Sequence, residues 1–277
     1  MIKLLAFDLD GTTITEHKYL SPGNRKALLA AEEEGVILVP ATGRMKSFLP
    51  EEITALPGVR YAITSNGAAV YDLLEDRAVH ESLIPNEKAR QVQEILEEYD
   101  IFIEYYRNGG AITKTGYPEM MRTHFGLPES KWHFVNGKGY SFTDNFREML
   151  KETGLCPEKI NLPYLKGGLR EELWERLEGL GGLRLTSSIP DNIEVNAENA
   201  HKGAAVLALA AQLGVSREEI LTIGDNGNDV TMLKAAGCSV AVEDASPEAL
   251  AAAKYSTAAH DRDGLAKAIE RHILLRG

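Results

Sequence analysis

A chain of 277 residues with 30 basic and 41 acidic side chains, a formal charge of −11, has the wrong sign for gripping nucleic-acid phosphates or an anionic membrane surface. At 44% hydrophobic and 26% charged it has the composition of a folded chain with a sizeable core, no apolar run approaches the ~20 residues of a membrane span, and the N-terminus lacks the pattern of a signal peptide, so it reads as cytoplasmic. Cys156 and Cys238 stand far apart with no His or Cys at ligand spacing, which argues against a disulfide framework and against a zinc site.

The first predicted element is a buried strand over Ile2–Phe7, running into "DLDGT", Asp8 to Thr12. Side chains at i and i+2 of a continuing strand point the same way, so Asp8 and Asp10 would face one point, where like charges resist joint ionisation unless a cation lies between them or one acid keeps its proton. A helix over Asn24–Glu34 and a strand over Val36–Val39 follow, and then "TGR", where the Thr42 hydroxyl and the Gly43 N–H suit a phosphoryl oxygen. Tyr61–Thr64 reads as another strand. Asn66–Asp72 and Ala78–Pro85 alternate like a hairpin, with Asn66-Gly67 as a turn.

The middle of the chain changes character. Helices over Glu87–Tyr99, Asn145–Glu152 and Arg170–Leu180 mix with strand-like pieces at Ile101–Tyr106, Gly110–Lys114, Lys159–Leu165 and Leu183–Ser188. Residues 86–188 therefore read as an α+β domain inserted into a core domain made of 1–85 and 189–277. Tyr105 and Tyr106 point to opposite faces if they lie on a strand, so at most one of them can face a substrate. Tyr117, Trp132, Phe134 and Tyr140 read as packing residues.

Beyond the insertion the βα alternation returns, with a helix over Lys202–Leu213, a strand over Ile220–Ile223, a helix over Asp229–Ala236 and a strand over Ser239–Val242. Lys202 opens its helix, where the dipole gives a cation no advantage. In "GDNGND" the buried strand runs directly into Asp225, Asn228 and Asp229, a density of oxygen ligands that suits Mg²⁺, a cation usually held by one or two carboxylates together with substrate phosphate.

Taken together, D-x-D-G-T, T-G-R, K-G and G-D-x-x-N-D, in that order and with an insertion between the second and third, resemble the four motifs of the haloacid dehalogenase superfamily of phosphohydrolases. The insertion point resembles the Cof-type subfamily with its large α/β cap, and the resemblance spans the chain. It implies an α/β fold, a Rossmann-like three-layer core with a parallel sheet and an inserted α+β cap that reads the substrate. It implies Asp8 as nucleophile and Asp10 as general acid/base. The cofactor Mg²⁺ would be bound by the Asp8 carboxylate, the Asp10 carbonyl and the Asp225 carboxylate, with Asp229 orienting Lys202 or a metal-bound water. Thr42, the Gly43 amide, Lys202 and Asn228 would surround the phosphoryl oxygens, and Arg44 would lie on the substrate side.

One departure from the family pattern bears on substrate choice: Glu243-Asp244 stands where relatives commonly carry Gly-Asn. His201 matches no required position. The expected activity is Mg²⁺-dependent hydrolysis of a small phosphorylated metabolite, a sugar phosphate or similar monoester, by a monomer or dimer with no nucleic-acid or membrane partner. The alternatives are a phosphosugar mutase of the same superfamily and a non-enzymatic phospho-aspartate signalling or binding protein; Asp10 and the insertion argue against the last.

Overall fold

Every residue of Leu4–Phe7 is apolar and buried, so this strand has no face to offer water and belongs inside a sheet covered on both sides. The computed structural model, which describes residues 1–16, 19–125, 138–188 and 191–275, places it fourth of five parallel strands. The order is Tyr255–Ser256, Cys238–Ala241, Ile220–Gly224, Leu4–Phe7, Ile37–Pro40. Leu5 and Phe7 pack in one apolar cluster with Leu28 of the helix Pro22–Glu33 and Leu265 of the helix Gly264–Ile269. Leu4 and Ala6 pack in a second cluster with Val206 and Leu209 of the helix Lys202–Gln212 and Met232 of the helix Val230–Ala235. The alternation along one strand thus builds the three layers of an α/β core. The chain runs from Leu4–Phe7 to Ile37–Pro40 on one side and later fills the other side from Ile220–Gly224 outwards. A topological switch point therefore falls between Leu4–Phe7 and Ile220–Gly224, where open α/β sheets bind ligands at their carboxyl ends.

Tyr61–Thr64 is a strand but does not extend this sheet. It turns through Ser65–Gly67 into Ala69–Asp72 and pairs with it, with Arg77–Glu81 completing a three-stranded antiparallel sheet. A single bridge between Ala41 and Ile63 ties it to the parallel strands. Among the described residues no helix is long and apolar enough to cross a membrane.

The inserted unit comprises residues 44–48 and 82–200, and so departs from the 86–188 that local patterning suggested. The reason is strand pairing. Ile193–Ala197 lies in a six-stranded sheet of order Tyr140–Thr143, Gly110–Lys114, Glu104–Arg107, Lys159–Leu162, Ile193–Ala197, Leu183–Thr186, bonded on both edges and hence inseparable from the insertion. Arg44–Phe48 joins the same unit through Met45, which packs against Tyr106 and Ala111, and through the Ser47 N–H, which donates to Gly109 O at 2.9 Å.

The two faces of this sheet differ as strand alternation requires. Tyr105 faces the helices Asn86–Leu96 and Phe146–Thr153, donating its hydroxyl to Gln93 Oε1 at 2.6 Å and packing its ring 5.1 Å from that of Phe146. On the opposite face Tyr106 joins a polar network. Lys159 Nζ lies 2.8 Å from Glu194 Oε1 and 4.6 Å above the Tyr106 ring, and Glu104 accepts from Asn161 Nδ2 at 2.6 Å and from the Tyr140 hydroxyl. Burial pushes the Glu104 carboxyl up, against the hydrogen bonds that favour its charge. Both tyrosines of "IEYYRNGG" are thus packing residues within the unit. Tyr117 packs among Phe102, Phe125 and Phe146, while Trp132 and Phe134 lie outside the described residues.

Candidate active site

Phe7 ends the first strand, and Asp8 is the last residue to continue its pairing, its N–H donating to Ile223 O at 3.0 Å. The chain then folds back, with Leu9 O accepting from the N–H groups of Thr13 at 2.9 Å and Ile14 at 3.0 Å. Asp10 therefore sits half-buried on a turn and not on the continuing strand that the i, i+2 spacing implied, and a bridge to Ile14 holds it there. Two threonines fasten this turn: Thr13 Oγ1 donates to Asp8 O at 2.6 Å, and Thr12 Oγ1 donates to Asp225 Oδ1 at 2.7 Å. Since Asp225 directly follows the neighbouring strand Ile220–Gly224, the switch point brings the first and fourth motifs together.

The third motif arrives on the helix Lys202–Gln212. His201 is its N-cap, its Nδ1 accepting from the Ala204 N–H at 3.0 Å, which gives this histidine a structural task. Lys202 is fully buried, its Nζ 2.5 Å from Asp8 Oδ1 and 2.6 Å from Asp229 Oδ1. Asp229 Oδ2 accepts from the backbone N–H groups of Asp225 and Asn226, each at 3.0 Å, so one carboxylate orients the lysine and shapes the loop of the fourth motif.

The charges do not balance. One carboxylate oxygen from each of Asp8, Asp225 and Asp229 lies within 4.8 Å of the others, and three carboxylates facing one ammonium leave two negative charges uncompensated. Burial pushes the Asp8 carboxyl well up, with Asp229 and Asp225 adding to the rise against the pull of Lys202. Burial and the Asp229 charge push Asp225 up to about 6, opposed by the Thr12 hydrogen bond. Lys202 moves up too, because Asp229 and Asp8 outweigh the burial that opposes its charge. A cluster of hard oxygen donors with more carboxylates than the one ammonium bonded to it fits a small divalent cation such as Mg²⁺.

The second motif is positioned by backbone. Thr42 is buried, its N–H donating to Ile63 O at 2.9 Å and its carbonyl accepting from the Asn66 N–H at 3.0 Å, and Gly43 follows it in the turn after Ile37–Pro40. Asn228 reaches towards the same place, Nδ2 donating to Asn66 Oδ1 at 3.3 Å. Asn66-Gly67 is thus a turn between antiparallel strands, as its chemistry suggested, and Asn66 also meets two of the residues assigned to the phosphoryl group. Its position just past a buried strand, like those of the four motifs, was the signal to find it. Arg44 groups with the inserted unit, where its Nη1 donates to Phe48 O at 3.1 Å.

The two acids that depart from the family pattern are matched by a histidine and an arginine. Asp244 lies 2.5 Å from His260 Nδ1 and accepts the His260 N–H at 3.1 Å, and Glu243 lies 2.5 Å from Arg262 Nη2. Burial acts to raise the Asp244 carboxyl, but the bonds from His260 hold it below the usual range.

The model of the haloacid dehalogenase-like hydrolase family matches residues 5–269 of the chain. The chain is 31% identical to the 5-amino-6-(5-phospho-D-ribitylamino)uracil phosphatase YcsE of Bacillus subtilis, over 99% of this chain and 96% of that protein. It is 27% identical to the pyridoxal phosphate phosphatase YbhA of Escherichia coli, over 98% and 99%. A solved phosphatase of the haloalkanoate (HAD) enzyme superfamily from Bacteroides thetaiotaomicron superposes with a TM-score of 0.78 at 28% identity, covering 98% of this chain and 95% of that one.

Proposed function

The chain belongs to the haloacid dehalogenase-like hydrolases, and from that premise we propose that it hydrolyses small phosphate monoesters through a phosphorylated Asp8, with Mg²⁺ as cofactor. One observation carries this reading: two buried carboxylates and a half-buried third converge with a buried lysine at the switch point of the sheet, an arrangement too costly to keep for packing. The similarity to phosphatases of two chemically different metabolites supports a substrate class of small phosphorylated metabolites, sugar phosphates or similar monoesters among them.

In this mechanism an oxygen of Asp8 attacks phosphorus as the ester P–O bond breaks, and Asp10 gives its proton to the departing alkoxide. Asp10 then takes a proton from water as that water attacks the aspartyl-phosphate, which frees Asp8 and releases inorganic phosphate. Lys202, the Thr42 hydroxyl, the Gly43 N–H and Asn228 hold the transferring group's oxygens, and Asp229 keeps Lys202 in place. The Asp8 and Asp225 carboxylates with the Asp10 carbonyl would hold Mg²⁺, which when bound neutralises charge on the phosphoryl group and on the two acids. Arg44 and the rest of the inserted unit would read the leaving group, and the pairing of Glu243 and Asp244 with Arg262 and His260 reduces the repulsion those acids would exert on an anionic substrate.

The test is a hydrolysis screen over a panel of phosphate monoesters with Mg²⁺ and with excess chelator. Turnover of at least one class with Mg²⁺, lost on chelation and restored by the metal, is expected. Turnover at full rate in chelator would overturn the metal's part, and no turnover of any monoester would overturn the reading as a whole.

The buried acids also set a pH dependence. Asp225 rises to about 6 in the metal-free protein from a usual 3.8, so its contribution to stability is complete below about 3.8 and is lost as pH rises through about 6. A cation has to displace those protons at low pH and meets ready-made carboxylates above 6. Mg²⁺ at about a hundredfold excess over its dissociation constant adds roughly 2.7 kcal/mol. The Tm increment on adding a fixed Mg²⁺ concentration is therefore expected to be several degrees at pH 7.5 and much smaller at pH 5. Equal increments at both pH values would remove these acids from the metal site.

A further inference from the structure

The turn Ser65–Gly67 touches the residues assigned to the phosphoryl group from three directions. The Asn66 N–H donates to Thr42 O at 3.0 Å, and Asn66 Oδ1 accepts from Asn228 Nδ2 at 3.3 Å. Gly67 packs so close to the start of the lysine-bearing helix that a Cβ on it would lie 2.4 Å from the His201 carbonyl carbon and 2.8 Å from the Lys202 nitrogen. Asn66 holds a left-handed φ of 58° and Gly67 a φ of 97°, backbone states that Asn tolerates and Gly favours and that most side chains resist. Asn66 is almost fully buried, which is unusual for a turn residue and places its amide among the site's polar groups.

Thr42, Asn228 and Lys202 come from three separate segments, a loop, a 3-10 turn and the start of a helix, with Lys202 160 and Asn228 186 residues beyond Thr42, so no local structure fixes their spacing. We propose that Asn66-Gly67 is the positioning hub of the phosphoryl site. Asn66 ties the Thr42 turn to the Asn228 side chain, and Gly67 sets how closely the Lys202 helix approaches both. The hub acts through those residues and takes no proton and makes no bond to phosphorus. It rests on the phosphatase reading, because it presumes that the three groups bind one phosphoryl unit.

The variant that isolates the tether is Asn66→Gly, which keeps the left-handed backbone and the N–H to Thr42 while removing the acceptor for Asn228. Inorganic phosphate, measured as a competitive inhibitor of monoester hydrolysis, is expected to bind about three- to tenfold more weakly, the size of one neutral hydrogen bond. The KM should rise by a similar factor for every substrate whatever its leaving group. In an Asn228→Ala background the same substitution should have no further effect, since its partner is already gone.

Asn66→Asp is an independent probe that keeps an acceptor and tolerance of the left-handed backbone but adds a negative charge beside the site. It is expected to weaken phosphate by about tenfold or more, with the loss reduced at high salt. Unchanged phosphate inhibition in both variants, or an equal loss from Asn66→Gly with and without Asn228, would overturn the hub. A wild-type protein that neither binds phosphate nor turns over a monoester would instead overturn the phosphatase reading, so the two failures are distinguishable.

Discussion

Asp8→Asn is expected to lower turnover of every substrate by about 10⁴-fold or more and to give no phosphorylated protein, because an amide is a poor nucleophile and the first displacement cannot begin. Loss of folding would not account for that result. Asp8 is one of three carboxylates facing a single ammonium, so neutralising it relieves repulsion, and the metal-free variant should melt no lower than wild type. Asp10→Asn is expected to behave differently. With an aryl phosphate, whose leaving group is stable as an anion near neutral pH, the first step needs little acid help. Hydrolysis of the aspartyl-phosphate still needs a base to activate water, a contribution of about 10²–10⁴-fold. The phosphoenzyme should therefore accumulate in that variant. With a sugar phosphate, whose alkoxide leaves poorly, the same variant should stall before the intermediate forms. Intact-protein mass after rapid quench distinguishes these outcomes. A phosphorylated Asp8→Asn protein, or an Asp10→Asn protein turning over both substrates at the wild-type rate, would show that the two roles are misassigned.

The residues most legible in the sequence are those where a buried apolar strand stops abruptly at a polar side chain. Phe7 to Asp8 and Gly224 to Asp225 are such junctions, and the carboxyl edge of a parallel sheet gathers them without any long-range information being read. Lys202 was legible for the opposite reason, as a cation placed where the helix dipole gives it nothing. Asn66 was harder to see because Asn-Gly is also strong turn chemistry, and one residue serves both uses. The inserted unit was read least well. Ile193–Ala197 alternates apolar with polar residues like a strand half open to water, yet Glu194 and Asn196 are buried through bonds to Lys159, Thr186 and their neighbours. Those partners lie on other strands, and pairing across a mixed sheet has no local signature. The allegiance of Arg44–Phe48 is likewise set by Met45 finding Tyr106 and Ala111, a contact no short window contains.

The second large effect is expected from Lys202→Met, which keeps the aliphatic stem and removes the ammonium. Asp8 Oδ1 and Asp229 Oδ1 would lose their partner at 2.5 and 2.6 Å in a place without solvent, and breaking a buried pair in this way typically costs about 3–5 kcal/mol. The cost should depend on pH with a definite sign. Without the ammonium Asp8 can escape only by taking up a proton, so its folded-state pKa rises further above the unfolded one, and the stability that protonation contributes is lost as pH rises. The Tm deficit relative to wild type, both in chelator, should be modest at pH 5 and large at pH 7.5. Mg²⁺ should recover part of it, since a second cation offsets the same charge, but should not recover turnover, because the transferring phosphoryl group loses a donor that no longer exists. Lys202→Arg is not expected to rescue either property: the side chain is fully buried, and a planar guanidinium on this stem presents its donors in a different geometry from the ammonium that meets Asp8 and Asp229. A Lys202→Met protein that melts with wild type in chelator at pH 7.5 would show that this ammonium is not what offsets the buried charge of Asp8 and Asp229.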